Sequence, residues 1–223
     1  MPTSTPPRRP TRWVGLTPDD RRAERRALLL DAAFDLLGTE GWAGTTVRGV
    51  CQQARLNPRY FYESFEDLDA LLLALYDRLV AELGEVVLQA VAEAGEDPRA
   101  QMRAAVGSIL EFVDDDPRRG RVLYVEALGN EALNRRRIET GHALVAMVEE
   151  AGARRHGRPR KGEQIGRVTA AIIVGGLAEL VAAWLDGRLE GPRDRIVEDA
   201  ADLLLALGDT AATIASGRAR RRR

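Results

Sequence analysis

Apolar residues in this chain recur at helical spacing almost from end to end. Leu30, Ala33, Phe34 and Leu37 fall at i, i+3, i+4 and i+7, one face of a first helix. Thr17, Pro18, Asp19 and Asp20 supply its start: a capping hydroxyl, a proline at the first position and an acidic first turn. Gly38 and Gly41 are read as its stop. Val47, Val50, Cys51 and Ala54 repeat the spacing in a second helix, Thr46 to Ala54. Phe61 and Phe65 mark the inner face of a third, Pro58 to Phe65. Leu68, Leu71, Leu72, Leu75 and Leu79 line a fourth, from about Asp67 to Ala94. Pro98 opens a fifth that ends at Asp114–Asp116 and Pro117, followed by a short helix over Arg118 to Leu128. Asn130 to about Arg155 is longer, and Glu163–Asp186 and Arg193–Ser216 close the pattern, linked through Gly191 and Pro192. Strand-type alternation is missing, and Ala, Leu, Arg and Glu, all good helix formers, dominate. The expected fold class is all-α.

Composition refines this picture. The chain has 223 residues, 45% of them hydrophobic, enough for a sizeable core. The net charge is −1, but residues 1–60 hold ten Arg against six Asp and Glu, a local +4 on an acidic remainder. A basic head on an acidic body suggests a local anionic partner, nucleic acid first. All basic residues but Lys161 are arginine. Arginine reads phosphates and base edges well, and a GC-biased coding sequence gives the same skew. The single cysteine, Cys51, excludes an internal disulfide and fits a reducing, cytoplasmic setting; it reads as a core residue, with redox sensing as the alternative. No N-terminal run resembles a signal peptide. The most apolar stretch, Ala170 to Leu185, has 16 residues and contains Glu179, short of the roughly 18–20 a membrane span needs. It reads as a helix of a core or an oligomer interface, and no membrane partner is expected. Residues 1–17, with four prolines, are expected to be a disordered basic arm, and 217–223 a disordered Arg tail.

Residues 45–65 carry the most specific constellation. The second helix is too short to persist alone and must pack on its neighbours. Thr45 can cap it, Leu56 can plug the turn, and Asn57 followed by Pro58 is a strong start signal for the third helix. With Phe61 and Phe65 inward, Asn57, Arg59, Tyr60, Tyr62, Glu63 and Ser64 are left outside. A short helix with that outer face fits a recognition helix in the major groove. Arg59 can donate to guanine O6 and N7, and Tyr60 can meet a thymine methyl or a phosphate. Tyr62, Ser64, Thr46 and Arg48 can donate to phosphates. The same residues also fit an ordinary helical hairpin with a polar exposed face.

The residues from Arg22 to about Tyr76 resemble the TetR family of repressors. The resemblance is carried by Leu36-Leu37-Gly38, Glu40-Gly41-Trp42, Thr45-Thr46-Val47-Arg48, Ala54-Arg55-Leu56-Asn57 and Tyr60-Phe61-Tyr62-Glu63-Ser64-Phe65, with the Leu68 to Leu75 run after them. It implies a three-helix helix-turn-helix head (18–66) on a C-terminal helical ligand-binding and dimerisation bundle (67–216). It implies binding to double-stranded operator DNA through Thr45, Thr46, Arg48, Arg55, Asn57, Pro58, Arg59, Tyr60, Tyr62 and Ser64. It further implies a homodimer formed by the last two long helices, and repression relieved by a small, apolar effector. Three positions depart from the family pattern: Arg55 stands where the turn usually has Gly, Leu68 where a basic residue is common, and Glu63 where a neutral group is common.

The body shows no recognisable catalytic set, and its two histidines, His142 and His156, have no metal-ligand spacing. No enzyme activity, metal or cofactor is expected. Gly175-Gly176 reads as a place of close helix packing, with a pocket wall as the alternative. Candidate effector contacts are Phe112, Tyr124, Glu126, His142, Met147, Glu179 and Trp184. Glu126 and Glu179 stand out because a carboxylate on an apolar helix face must be exposed, paired or functional. Arg8, Arg9, Arg12, Arg21, Arg22 and Arg25 can extend the DNA contact as a basic arm. The rival class is a dimeric helical small-molecule-binding protein that does not read DNA.

Overall fold

A computed structural model describes residues 17–158 and 163–221, the last three as backbone only. Of the arm expected over 1–17, residues 1–16 lie outside the described residues. Ten α-helices and one π-helical segment follow in order, with no strand among the described residues: α1 (Pro18–Gly44), α2 (Val47–Ala54), α3 (Pro58–Tyr62), α4 (Leu68–Glu93), α5 (Pro98–Asp115), α6 (Pro117–Gly120), the π segment (Arg121–Glu126), α7 (Ala127–Gly129), α8 (Glu131–His156), α9 (Ile165–Leu185) and α10 (Arg193–Arg221).

Helix α1 starts on a reciprocal capping box: the Thr17 hydroxyl accepts from the Asp20 N–H at 3.1 Å, and the Asp20 carboxylate accepts from the Thr17 N–H at 3.2 Å. The expected stop at Gly38 is not there. The helix runs through Gly38 and kinks only at Gly41, whose φ of 75° favours glycine. Gly38 answers a different need, because a Cβ there would lie 2.6 Å from Arg118 Cβ. The residue marks where the body presses on the head, not where the helix ends.

Leu29, Leu37, Val50, Cys51, Phe61, Leu71 and Leu75 are buried together, so α1 to α4 share one core. That core continues into the body through Val106, Leu110, Val113, Val122 and Leu133. Charged ties brace the helices at the surface. Arg78 donates to Asp31 at 2.7 Å between α4 and α1, and Arg136 grips Asp77 with two bonds of 2.7 and 2.8 Å between α8 and α4. Arg99 does the same to Asp202 at 2.6 and 2.8 Å between α5 and α10.

Several boundaries differ from the sequence reading: α3 ends at Tyr62 and not at Phe65, and the short helix expected over Arg118 to Leu128 is α6, the π segment and α7. Helix α10 continues to Arg221, so described residues beyond 216 are helix, not a disordered tail. Ala and Arg are strong helix formers, and basic residues suit the negative end of the helix dipole. Helix α9 has 21 residues and is long and apolar enough to cross a bilayer. Counting from Ala170 missed Ile165, Gly166, Val168 and Thr169, which extend the run with only Arg167 among them. Its inner side buries Thr169, Ala170 and Val181, while Val168, Ile172, Gly175, Gly176 and Glu179 form an exposed stripe.

Candidate nucleic-acid interface

The head presents α3 as a short helix held from behind. The Asn57 side chain accepts from the Arg59 N–H at 2.9 Å, and Pro58 follows as first helical residue. Phe61 is fully buried, edge-to-face with Tyr62 at 5.3 Å and 6.0 Å from Phe65. With its back anchored, α3 turns Arg59 (side chain 82% exposed) and Tyr62 (63% exposed) to solvent.

Thr46, not Thr45, caps α2, its hydroxyl accepting from the Gly49 N–H at 3.0 Å. Thr45 is only 3% exposed and its hydroxyl donates to the Gly41 carbonyl at 2.8 Å. It locks the α1 kink, and neither its burial nor its engaged hydroxyl suits the DNA contact expected of it. Thr46, Arg48, Arg55, Asn57 and Pro58 are exposed, as are Arg59 and Tyr62. Ser64 is half-buried and its hydroxyl donates to the Tyr60 carbonyl at 3.0 Å, so a phosphate would have to compete for it. Cys51 is buried and burial pushes its thiol up, which suits a core residue and not a redox sensor.

The departures at 55, 63 and 68 now have physical accounts. Arg55 closes α2 in the left-handed region (φ 56°, ψ 40°), the only non-glycine with positive φ among the described residues. Arg55→Gly is expected to raise stability by about 1 kcal/mol, read as a higher urea midpoint. An unchanged or lower midpoint would show that the turn is unstrained. Glu63 lies between Arg59 (2.9 Å) and Arg25 (3.6 Å), so its charge is balanced before any phosphate approaches. Leu68 starts α4 and packs against the core, where a charge has no place.

Sequence reasoning counted Arg25 with the basic arm that extends the DNA contact and did not foresee its guanidinium 4.5 Å over the Tyr60 ring. It also missed the joint between head and body. Glu126 accepts from the Trp42 N–H at 2.8 Å and from Arg121 Nε at 2.8 Å, while Arg121 donates to the Thr39 carbonyl at 3.0 Å. These contacts seize the α1 kink. In an α-helix, residues five apart lie about 140° apart around the axis; π winding brings them to one side. The π segment therefore lets Arg121 and Glu126 pair. Arg118 adds a 2.7 Å bond to Asp35 and lies 4.7 Å over Phe34.

The seven expected effector contacts do not converge. Glu126 is engaged in this joint, and Trp184 donates to Asp114 at 2.7 Å. His142, Met147 and Glu179 are exposed, so their carboxylate, imidazole and thioether need no partner inside. Phe112 is buried under the Arg119 guanidinium, 4.4 Å from its ring. Tyr124 is half-buried against the core, and desolvation pushes its phenol up to about 12. A cavity of about 570 Å³ lies elsewhere, at the end of the body lined by α4, α5, α8, α9 and α10, and none of the seven lines it. Its small side chains gave no signal in a search for polar groups and aromatics.

The sequence profile of bacterial regulatory proteins of the tetR family matches residues 29–75, which hold the core of the head. Solved structures share the whole architecture. A TetR-like transcriptional regulator from Rhodococcus sp. RHA1 is 24% identical, over 83% of this chain and 94% of that one, with a TM-score of 0.58. The fatty acid degradation regulator FadR from Bacillus halodurans is 17% identical, over 81% and 94%, with a TM-score of 0.67. FadR from Bacillus subtilis, solved in complex with stearoyl-CoA, is 16% identical, over 80% and 96%, with a TM-score of 0.62. At these identities the structural likeness establishes the fold, and the profile match establishes the head. The chain therefore carries a tetR-family domain over residues 29–75, within a fold that these solved regulators share.

Proposed function

We propose that two copies of this chain bind double-stranded operator DNA as a cytoplasmic repressor and let go when a small apolar molecule occupies the body. The observation that carries the reading is α3: a proline-started helix, anchored by Phe61 and offering Arg59 and Tyr62 to solvent. In the major groove Arg59 donates to guanine. Thr46, Arg48, Arg55 and Tyr62 contact phosphates, Tyr60 and Ser64 support them, and Asn57 and Pro58 fix the helix start. Head (18–66) and body (67–216) are then the two working parts, and the role is regulatory, not catalytic.

Dimerisation through α9 and α10 is supported by two exposed stripes. On α9 it runs through Val168, Ile172 and Gly175-Gly176, where a Cβ would meet open space. On α10 it runs through Leu203, Ala206, Thr210 and Ile214. Glycines without a neighbour in their own chain suit close approach by a second helix. The same stripes favour an interface over a membrane span, since α9 also packs on α8 and α10. Two heads about one DNA turn apart, roughly 34 Å, would then read two half-sites. An effector that favours another spacing releases the operator, and a 100-fold switch needs only about 2.7 kcal/mol of differential binding. That the Bacillus subtilis FadR holds stearoyl-CoA in this fold supports a ligand-binding body.

A gel shift at fixed salt on DNA flanking the chain's own gene tests the reading. Arg59→Ala is expected to cost about 1–3 kcal/mol and to relax preference at one guanine position. If the intact protein shifts no flanking fragment, the rival, a dimeric ligand-binding protein that ignores DNA, takes its place.

A further inference from the structure

The cavity of about 570 Å³ at the end of the body has a chemistry of its own. Its walls come from Val91, Met102, Val148, Ile165, Ile173 and Leu204, on five different helices. Glycine and alanine at many of the other lining positions of α8, α9 and α10 leave the space unfilled. The interior polar groups are already satisfied: the Thr169 hydroxyl donates to the Ile165 carbonyl at 2.8 Å, and the Gln101 amide donates to the Gly95 carbonyl. Such a chamber suits an apolar body of ligand size.

Its mouth is different. The end of α8 and the residues after it bring Arg155, His156 and Arg158 to the lining. Arg155 and His156 share one carboxylate, Asp209, at 3.6 and 3.5 Å. Arg158, 78% exposed, holds Glu150 at 3.1 Å. Exposed pairs of this kind are worth about 0–1 kcal/mol, so an incoming anion can exchange with them. Helix α9 begins at the same mouth, with Ile165 and Gly166 in the lining, and the side chain of its N-cap residue Gln164 makes no capping bond. The first N–H groups of a helix favour negative charge. Glu149 and Glu163 also line the cavity and oppose this preference; the charge of the ligand is therefore what the experiment must read.

We propose that the chamber takes an amphipathic anion, its hydrocarbon part among the apolar walls and its carboxylate or phosphate at Arg155, His156 and Arg158. This deepens the reading of the body as an effector site and rests on it. The test is calorimetric titration of the full-length protein, without DNA, by three probes of equal chain length: decanoate, decanol and decyltrimethylammonium. Decanoate is expected to bind at least about tenfold tighter than decanol, and the cation weakest. Replacing both Arg155→Gln and Arg158→Gln is expected to bring decanoate down to the level of decanol. Gly152 lines the chamber and a Cβ there meets nothing within 4 Å. Gly152→Leu therefore fills space without strain, improves helix propensity, and is expected to remove binding of decanoate and decanol alike. Tighter binding of the cation would overturn the proposal in favour of Glu149 as anchor. Equal binding of all three, or binding that survives Gly152→Leu, would overturn it too. A protein that shifts operator DNA yet binds none of the probes loses the chamber assignment and keeps the DNA reading. One that binds decanoate in the chamber but never shifts DNA does the reverse.

Discussion

Phe61→Ala is expected to strip operator binding from the protein while the body keeps its helices. Among the described residues Phe61 is the largest fully buried side chain, and it stands at the back of α3. Helix α3 has five residues and α2 has eight, lengths at which no helix persists on its own. Their geometry comes from the shared core of Leu29, Leu37, Val50 and Leu71 behind them. Removing the ring leaves a cavity at the centre of that core and costs about 3–5 kcal/mol, a large share of what holds a small domain together. Arg59 and Tyr62 would then no longer share one rigid face. The measurement pairs a gel shift with far-UV circular dichroism: the shift should vanish or weaken by more than about tenfold while most of the helical signal remains. Operator affinity within about twofold of the parent would mean that α3 is not organised by this core.

Glu126→Ala is expected to destabilise the head by about 3 kcal/mol, because it strands two partners at once. The Glu126 side chain is 13% exposed, and it accepts from both the Trp42 N–H and Arg121. Without it, a partly buried N–H and a guanidinium lose their acceptor at the kink of α1. Glu126→Gln keeps an acceptor for Trp42 and loses the ion pair, so its loss should fall between parent and alanine. Denaturant unfolding reads both. The functional consequence within the proposed switch is a head that still binds DNA but responds less to an effector. A Glu126→Ala protein as stable as the parent would remove this joint as the link.

The head was legible because its signals are local. The Asn57-Pro58 start, the Phe61 and Phe65 spacing and the Thr17 cap each lie within a few residues, and local caps and periodicity report such features. What escaped depends on contacts distant in sequence. Gly38 reads as a helix stop until Arg118 is seen lying against it. Thr45 reads as a cap until its hydroxyl is found on Gly41. Glu126 stood out as a carboxylate on an apolar face, correctly, but its partner at Trp42 is 84 residues away. The pairing with Arg121 needed π winding that no periodicity argument anticipates. The chamber escaped for the opposite reason: it is marked by small side chains, and a search for chemistry looks past glycine and alanine.

Helix α9 also bears on how much of this regulator a cell must keep. Its apolar stripe is exposed in the single chain, a surface that favours association and, unpaired, aggregation. If pairing covers that stripe, folding and assembly become one equilibrium, and stability rises with protomer concentration. Dilution would then act on the protein twice, lowering occupancy of the operator and lowering the fraction of chains fit to occupy it.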